Sequence, residues 1–154
     1  MKSLLQIVEI LGSLMIDHYG DKVKGLVIGG EAIESLDERK PLLFLALLDK
    51  VHKISFYARE EIFEYFIKKV ESSDIYLEYV KRYGQRPLIY GIIIDPIEVS
   101  FHNPVVLYLL IKGKVIFDKN KIIEKEKTQL ISNVVPIGSV IKIGEINKGD
   151  VIDL

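Results

Sequence analysis

The chain has no cysteine and only two methionines among its 154 residues. Without cysteine, the protein has no disulfide bond, no thiolate nucleophile and no zinc site built on sulfur. Abundant isoleucine, lysine and glutamate beside so little cysteine and methionine is a composition typical of thermophilic proteins. The lack of cysteine fits a reducing compartment, and we expect a cytoplasmic protein.

The sequence also lacks an excess of either charge, with 21 basic and 22 acidic residues. No net field would draw the chain to a phosphate backbone or to an anionic lipid surface. Its longest apolar runs, residues 41–48 and 104–111, are far shorter than the roughly 20 residues that cross a bilayer. Gln6 and Glu9 interrupt the first apolar stretch, unlike a signal peptide. We therefore expect neither a membrane nor a nucleic acid as the partner.

The chain has enough apolar residues to form a folded core. Hydrophobic residues make up 49% and charged residues 28% of the sequence, which is ordinary for a globular protein. A length of 154 residues lies near the common size of one compact domain. We find no internal repeat and no linker. The sequence therefore predicts a single domain over residues 1–154.

Apolar periodicity and turn residues predict the secondary structure. Helices are expected over residues 3–19, 58–72, 104–111 and 119–132, and strands over 23–28, 41–48, 88–94 and 114–118. The tail over 134–154 carries glycines between short β-branched runs, which predicts an extended segment or a hairpin. This order predicts an α/β or α+β fold, a small mixed sheet with helices packed on it.

One feature of this order is a strand that ends in two glycines. Gly29 and Gly30 follow Val27 and Ile28, and a buried strand, a helix and another buried strand come next. The chain in this respect resembles the minimal nucleotidyltransferases of the polymerase-beta-like superfamily. Residues 95–98, 103–104, 113–118 and the ending 142–154 resemble later parts of archaeal-type members. The resemblance implies that the backbone of Gly29 and Gly30 binds a nucleotide.

The family's next strand opens with Asp-x-Asp, whose carboxylates hold two Mg²⁺ ions that bridge the phosphates. Here Pro41 and Leu43 occupy those two positions, and residues 88–94 contain no carboxylate before Asp95. Mg²⁺ prefers oxygen ligands, above all carboxylates. The sequence therefore predicts a degenerate active site with no catalytic residue and no cofactor.

Three other carboxylates are candidate substitute metal ligands. Asp37 and Glu38 precede Pro41, and a loop that folds back would bring them beside the glycines; the competing interpretation is a solvated loop. Asp95 ends its strand, where a carboxylate commonly caps or turns the chain. Glu31, directly after the glycines, would repel a triphosphate.

Other patterns carry less chemistry. His18, His52 and His102 lack metal-binding spacing and are interpreted as structural or surface residues. No P-loop, full GxGxxG or GxSxG motif is present. A cluster of rings and cations near residue 80 could stack bases, but a helix end with buried tyrosines and solvated arginines is the favoured interpretation; its members are Tyr76, Tyr79, Arg82, Tyr83, Gln85 and Arg86.

Two functions from different classes remain open. The leading hypothesis is a catalytically inactive nucleotidyltransferase-like protein that acts by binding a protein partner or a nucleotide, with a homodimer as one form of partner. The alternative is an active transferase that binds Mg²⁺ through Asp37, Glu38 or Asp95. The sequence alone leaves open whether the protein is an enzyme.

Overall fold

The computed structural model describes the backbone of residues 1–141 and the side chains of residues 1–132. The helices are α1 (Lys2–Tyr19), α2 (Glu31–Ser35), α3 (Phe56–Val70), α4 (Asp74–Tyr83), α5 (Pro104–Lys112) and α6 (Ile122–Ile141). The strands are β1 (Val23–Gly29), β2 (Leu42–Leu48), β3 (Ile89–Ile94) and β4 (Lys114–Asp118). Short 3-10 helices cover Gly20–Lys22, Val51–Lys53, Pro96–Phe101 and Lys119–Lys121.

The four strands form one mixed sheet in the order β3-β2-β1-β4. Strand β1 is antiparallel to β2 and to β4, whereas β2 and β3 are parallel. Parallel strands are usually buried on both faces, which accounts for the continuous apolar run of β2, whereas β3 is fully buried only at Ile93 and Ile94. The predicted fold class, a small mixed sheet with helices packed on it, is confirmed.

The larger core lies on one face of the sheet. Helix α1 buries Leu4, Val8 and Leu11 there, at the three- and four-residue intervals that place side chains on one helical stripe. Alternate residues of β1 and β2, such as Ile28 and Phe44, point into the same cluster. Each fully buried side chain of this kind contributes roughly 1.5–3 kcal/mol through burial of apolar surface.

Helix α5 covers the opposite face of β1. Val106 and Leu109 are buried on this helix, and a methyl group built on Gly29 would lie 2.6 Å from the Leu109 side chain. Strand and helix approach so closely because Gly29 and Gly113 have no side chain: a Cβ on Gly113 would lie 2.5 Å from Val27. The end of β1 is thereby enclosed between α5 and its neighbouring strands.

Side-chain caps fix where three of the helices begin. Ser55 and Ser73 accept hydrogen bonds from the backbone N–H groups of Ala58 and Tyr76 at the starts of α3 and α4. Asn103 accepts from two backbone N–H groups at the start of α5. A cap of this kind is worth about 1 kcal/mol, because it satisfies a donor that has no partner within the helix.

The eight predicted elements occur in the predicted order, and their ends are shifted by up to three residues, except that the last helix ends at Ile141 and not at residue 132. Two helices were missed: α2, within the segment predicted as a connection, and α4, of which only the end was recognised. Helix α4 places Tyr76 and Tyr79 in the core and leaves Arg82 exposed. Arg86, which follows the end of the helix, is exposed as well. That arrangement agrees with the structural interpretation of the ring and cation cluster.

The prediction of an extended tail is wrong from residue 134 as far as Ile141, because α6 continues to that residue. Leu130, Val134, Ile137 and Ile141 recur at intervals of four, three and four, which is helical spacing. This period outweighs the β-branched residues that suggested a strand. Residues 142–154, the rest of the predicted tail and the last part of the family resemblance, lie outside the described residues.

The chain divides into two compact units, Met1–Asn120 and a second that begins at Lys121. The sheet and helices α1 to α5 belong to the first unit. The prediction of a single domain over 1–154 stays a prediction. Within the described residues, no helix combines the length and the apolar character needed to cross a membrane.

We expect Gly91→Ala to lower the free energy of unfolding by about 1–3 kcal/mol, because overpacking a filled core forces side chains to move. A Cβ on Gly91 would lie 2.3 Å from the Phe63 ring. Urea unfolding measures the loss. Gly91→Ala combined with Phe63→Leu should lose less than the sum of the two single variants. A Gly91→Ala protein as stable as the wild type would contradict this packing.

Candidate functional site

The turn after β1 is the position where the sequence predicted nucleotide binding. Gly30 has a φ angle of +95°, a conformation that favours glycine, and it opens the short helix α2. A Cβ on Gly30 would lie 3.3 Å from the Leu43 side chain and 3.3 Å from the Pro41 carbonyl oxygen. The turn therefore closes onto the start of β2.

The atoms nearest to the turn belong to the side chains of Leu43, Leu109 and Tyr108 and, in equal number, to the backbone of neighbouring segments. Besides Leu43, the nearest neighbours of a Cβ on Gly29 are Leu109, the ring of Tyr108 and the backbone of Gly113. The Tyr108 hydroxyl donates to the Glu34 carboxylate. Leu43 was predicted to stand where the family has a metal ligand, and it packs directly against the glycines.

Glu38 is buried, with only 5% of its surface exposed. Its carboxylate accepts hydrogen bonds from the backbone N–H of Leu4 at 3.2 Å, the Tyr83 hydroxyl at 3.3 Å and the amino group of Met1 at 2.8 Å. The interpretation of Glu38 as part of a solvated loop is therefore wrong. A buried carboxylate is stable only when such donors replace water, and here they join the loop to helix α1.

Tyr79 adds to this contact, because its hydroxyl donates to the backbone carbonyl oxygen of Glu38. Burial, and then the negative charge of the Glu38 carboxylate, raise the pKa of the Tyr79 hydroxyl to about 12. The hydroxyl is therefore protonated at neutral pH and remains a donor. Glu38 is held on both its side chain and its backbone.

Asp37 differs from its neighbour in burial and in partner. Its carboxylate accepts from the side chain of Arg39 at 3.2 Å, and this hydrogen bond holds the Asp37 pKa below its usual value. Both side chains are partly or fully exposed. Asp37 is thus paired within its own loop.

Asp95 lies at the opposite end of the sheet from the glycines. Gly29 pairs with Leu43 at the start of β2, whereas Ile94 pairs with Leu47 near its end. Four residues along a strand correspond to roughly 13 Å, and Mg²⁺ binds oxygen at about 2.1 Å. Asp95 cannot share a metal ion with ligands at the glycine turn, so the structure does not bring the three candidate carboxylates together.

Asp95 instead belongs to a polar cluster at the carboxyl ends of β2 and β3. It is 2% exposed, and one of its oxygens lies 2.7 Å from Nδ1 of His52. The other oxygen accepts from the backbone N–H of Ile97, and the Glu98 carboxylate accepts from the backbone N–H of Asp95. These reciprocal bonds form a capping box at the start of Pro96–Phe101. The sequence-based interpretation of Asp95 as a cap is confirmed.

Arg59 forms the second half of this cluster. Its guanidinium makes two hydrogen bonds of 2.8 Å to the Glu98 carboxylate and further bonds to the carbonyl oxygens of Ile54 and Ile93. Arg59 and Glu98 are 4% and 9% exposed. The pair fastens the start of α3 to the segment after β3. Its donors are used within the protein.

The sequence analysis missed the capping box of Asp95 and Glu98 and the ion pair of Arg59 and Glu98, although the sequence contains a signal for each. The spacing Asp-Pro-x-Glu over 95–98 is that of a capping box. Arg59 precedes Phe63 by four residues and Phe66 by seven, which places it on the buried stripe of α3. A charged residue on such a stripe indicates a buried partner.

Burial alone would raise the pKa values of Asp95 and Glu98, but their hydrogen bonds outweigh it. His52 and nearby backbone N–H groups hold the Asp95 pKa below its usual value. The Arg59 side chain and the backbone N–H of Asp95 do the same for Glu98. Both groups are therefore ionised at neutral pH, as a stabilising cap and ion pair require.

Among the residues whose side chains are described, no group of three or more histidine, aspartate or glutamate side chains is arranged so that it could hold a metal ion. His18 contacts the rings of Tyr19, Tyr65 and Phe66. Comparison with models of protein families, with curated proteins and with solved structures finds no match. The resemblance to nucleotidyltransferases stays a prediction from the sequence.

We expect Glu38→Ala to lower the free energy of unfolding by about 1–3 kcal/mol, because it leaves buried donors without an acceptor. The neighbouring variant Asp37→Ala is the control and should change stability by less than about 0.5 kcal/mol. Urea unfolding at neutral pH compares the two. Equal losses would contradict the different roles of these adjacent carboxylates.

The Asp95 and Glu98 carboxyls have lower pKa values in the folded than in the unfolded chain. Their stabilisation is complete above the ordinary carboxyl pKa of about 4 and is lost as the pH falls below it. Urea unfolding between about pH 7 and pH 3 should show this loss. Glu98→Gln should reduce it, and should also cost about 3–5 kcal/mol at pH 7 because the buried Arg59 loses its partner. Exposed Glu60, next to Arg59 on α3, provides the control: Glu60→Gln should retain the pH dependence.

Proposed function

We propose that this protein is a catalytically inactive nucleotidyltransferase-like protein that acts by binding a protein partner. The observation that carries the proposal is the close packing of the glycine turn. Leu43 and Leu109 pack where a transferase would need carboxylates and room for phosphates. Catalysis of phosphoryl chemistry depends on metal ions held by carboxylates and on positioned charges, and no carboxylate is among the nearest protein atoms of Gly29 and Gly30.

The choice of a protein rather than a nucleotide rests on charge and on exposed apolar surface. Glu31 directly follows the glycines and is exposed, so its carboxylate would repel a triphosphate at this turn. Ile97 and Phe101, on the short helix after β3, are 59% and 72% exposed. Large exposed apolar side chains are favoured where proteins bind proteins.

The alternative of an active Mg²⁺-dependent transferase now depends on Asp37. Glu38 is occupied by buried donors, and Asp95 is distant from the turn. Asp37 is the candidate carboxylate that could leave its present partner, because its pair with Arg39 is exposed and such pairs are weak. The alternative therefore requires Asp37 to bind Mg²⁺.

Titration of the full chain with ATP and Mg²⁺ tests the two functions. We expect no heat of binding in calorimetry and no release of pyrophosphate, and we expect Asp37→Ala to behave like the wild type. Release of pyrophosphate that needs Mg²⁺ and disappears in Asp37→Ala, with the adenylyl group passing to water or to the protein itself, would establish the transferase instead. Saturable binding of ATP without turnover would identify a nucleotide as the ligand and would contradict the choice of a protein partner.

A further inference from the structure

His52 differs from the other two histidines because its ring bonds a buried carboxylate. Its Nδ1 atom lies 2.7 Å from an oxygen of Asp95. Asp95 is 2% exposed, whereas the side chain of His52 is 37% exposed. His18 contacts aromatic rings instead, and His102 lies on the surface without a carboxylate partner among the residues whose side chains are described. The pair of His52 and Asp95 thus connects a buried charge to a ring that solvent reaches.

The Asp95 carboxylate determines which nitrogen of His52 carries the proton. Burial would raise the pKa of Asp95, but hydrogen bonds from His52 and from backbone N–H groups hold that pKa below its usual value. An ionised carboxylate only accepts hydrogen bonds. Nδ1 of His52 is therefore the donor, and Nε2 of the neutral ring keeps its lone pair.

The Nε2 atom of His52 is available for reaction. Within the part of the chain whose side chains are described, no hydrogen bond reaches it. Since Nδ1 faces the buried carboxylate, the exposed part of the ring is the edge remote from Asp95, which carries Nε2. A hydrogen bond from Nδ1–H to a carboxylate also raises the basicity of the other nitrogen. His52 therefore presents a nucleophilic nitrogen of fixed orientation to the solvent.

The charges beside His52 favour an anionic reagent. Lys50 and Lys53 are exposed, and neither forms an ion pair with another described side chain. Half-buried Asp49 is the single carboxylate in residues 49–53. Two lysines against one aspartate leave a local positive charge, which attracts anions. A phosphoryl group carries negative charge on the group that is transferred, whereas an acyl or alkyl group does not.

We propose that His52 is a phosphoryl-acceptor site, which takes a phosphoryl group on Nε2 from a small anionic donor. The bond from Nε2 to phosphorus forms, and the bond from phosphorus to the leaving group breaks. The electron pair of the broken bond departs with the leaving group. The ring keeps its proton on Nδ1 and becomes a cation, which the Asp95 carboxylate stabilises. This site is independent of the proposed function, because it lies at the opposite end of the sheet from the glycine turn.

Asp95 is a positioning residue in this reaction, and bonds that do not involve His52 hold it in place. One of its oxygens accepts from the backbone N–H of Ile97 at 3.0 Å, and its own backbone N–H donates to Glu98 at 2.8 Å. The carboxylate therefore already faces the ring when the ring becomes charged. Charge that is fixed in advance stabilises a developing charge better than charge that must reorient.

Phosphoramidate is the probe that tests the proposal on the full chain. The transfer releases ammonia, which already carries its third proton in the zwitterion of this reagent. We expect His52 to react at least about tenfold faster than His18 and His102, the internal controls, because only His52 has a carboxylate at Nδ1. Peptide mass spectrometry measures the three rates, and phosphorus NMR identifies the nitrogen that is modified. In urea, where the contact with Asp95 is lost, the three rates should become similar.

Asp95→Asn tests the role of the carboxylate, since asparagine keeps the shape and one acceptor oxygen but not the charge. We expect transfer to His52 to slow about tenfold, because a hydrogen bond to a neutral group stabilises the cationic ring less. Nitrogen NMR of the ring should show a smaller fraction protonated on Nδ1, which a purely structural role would not require. Asp49→Asn is the matched control, removes the same charge nearby and should not slow the reaction. Circular dichroism verifies that both variants are folded.

A double variant, Lys50→Gln with Lys53→Gln, tests the preference for an anionic reagent. At low salt we expect the reaction of His52 with phosphoramidate to slow about threefold, because the local positive charge is lost. The reaction with diethyl pyrocarbonate, which is neutral, should keep its rate. Equal slowing of both reactions would contradict the preference.

Four results would overturn the proposal. These are a rate at His52 no higher than at His18 and His102, attachment at Nδ1, selectivity that persists in urea, and a folded Asp95→Asn protein that reacts as fast as the wild type. Should Asp95→Asn fail to fold, the wild type alone decides, through its three rates and through nitrogen NMR. A wild-type ring that carries its proton on Nε2 would also sink the proposal. None of these outcomes depends on whether ATP binds at the glycine turn.

Discussion

The register between β1 and β2 determines most of what this protein can do. Gly29 lies opposite Leu43, and Val23 lies opposite Leu48 at the other end of the same pair. This pairing folds the glycine turn onto the start of β2, and the parallel pairing of β2 with β3 places the ends of those two strands side by side. A slip of one residue would exchange the two faces of β2 and pack each side chain against the wrong face of the sheet's surroundings. The burial of the strand on both faces thus fixes the position of every group at either end.

The two ends of the sheet differ in chemistry because the backbone is closely packed at one end and must be hydrogen-bonded by side chains at the other. At the glycine turn, backbone segments approach one another closely and apolar side chains fill the remaining space. At the other end, a chain that leaves a buried strand must satisfy its backbone groups, and Asp95 and Glu98 do so through the capping box. The Arg59 guanidinium then neutralises Glu98. The capping box and the ion pair thus give Asp95, Glu98 and Arg59 in the polar cluster structural roles.

The sequence predicted the sheet well because its strands are long apolar runs bounded by glycine or proline. It did not predict that Gly29 lies opposite Leu43, because the register of two paired strands is a tertiary contact. It could not distinguish Asp37 from Glu38, because their difference arises from Tyr79, Tyr83 and α1, which are distant in sequence. The pairing of Asp95 with His52 is likewise a tertiary contact between two turns. The helical end of the described chain was missed because β-branched residues outweighed periodicity in the prediction.

Burial explains only part of the apolar sequence of β3. A parallel strand must be apolar when helices cover both of its faces, and Ile93 and Ile94 at its inner end are buried in this way. The same explanation predicts that the beginning of the strand is also covered. Tyr90 and Leu88 are exposed instead. Burial within one chain therefore accounts for Ile93 and Ile94 but not for the apolar side chains at the beginning of the strand.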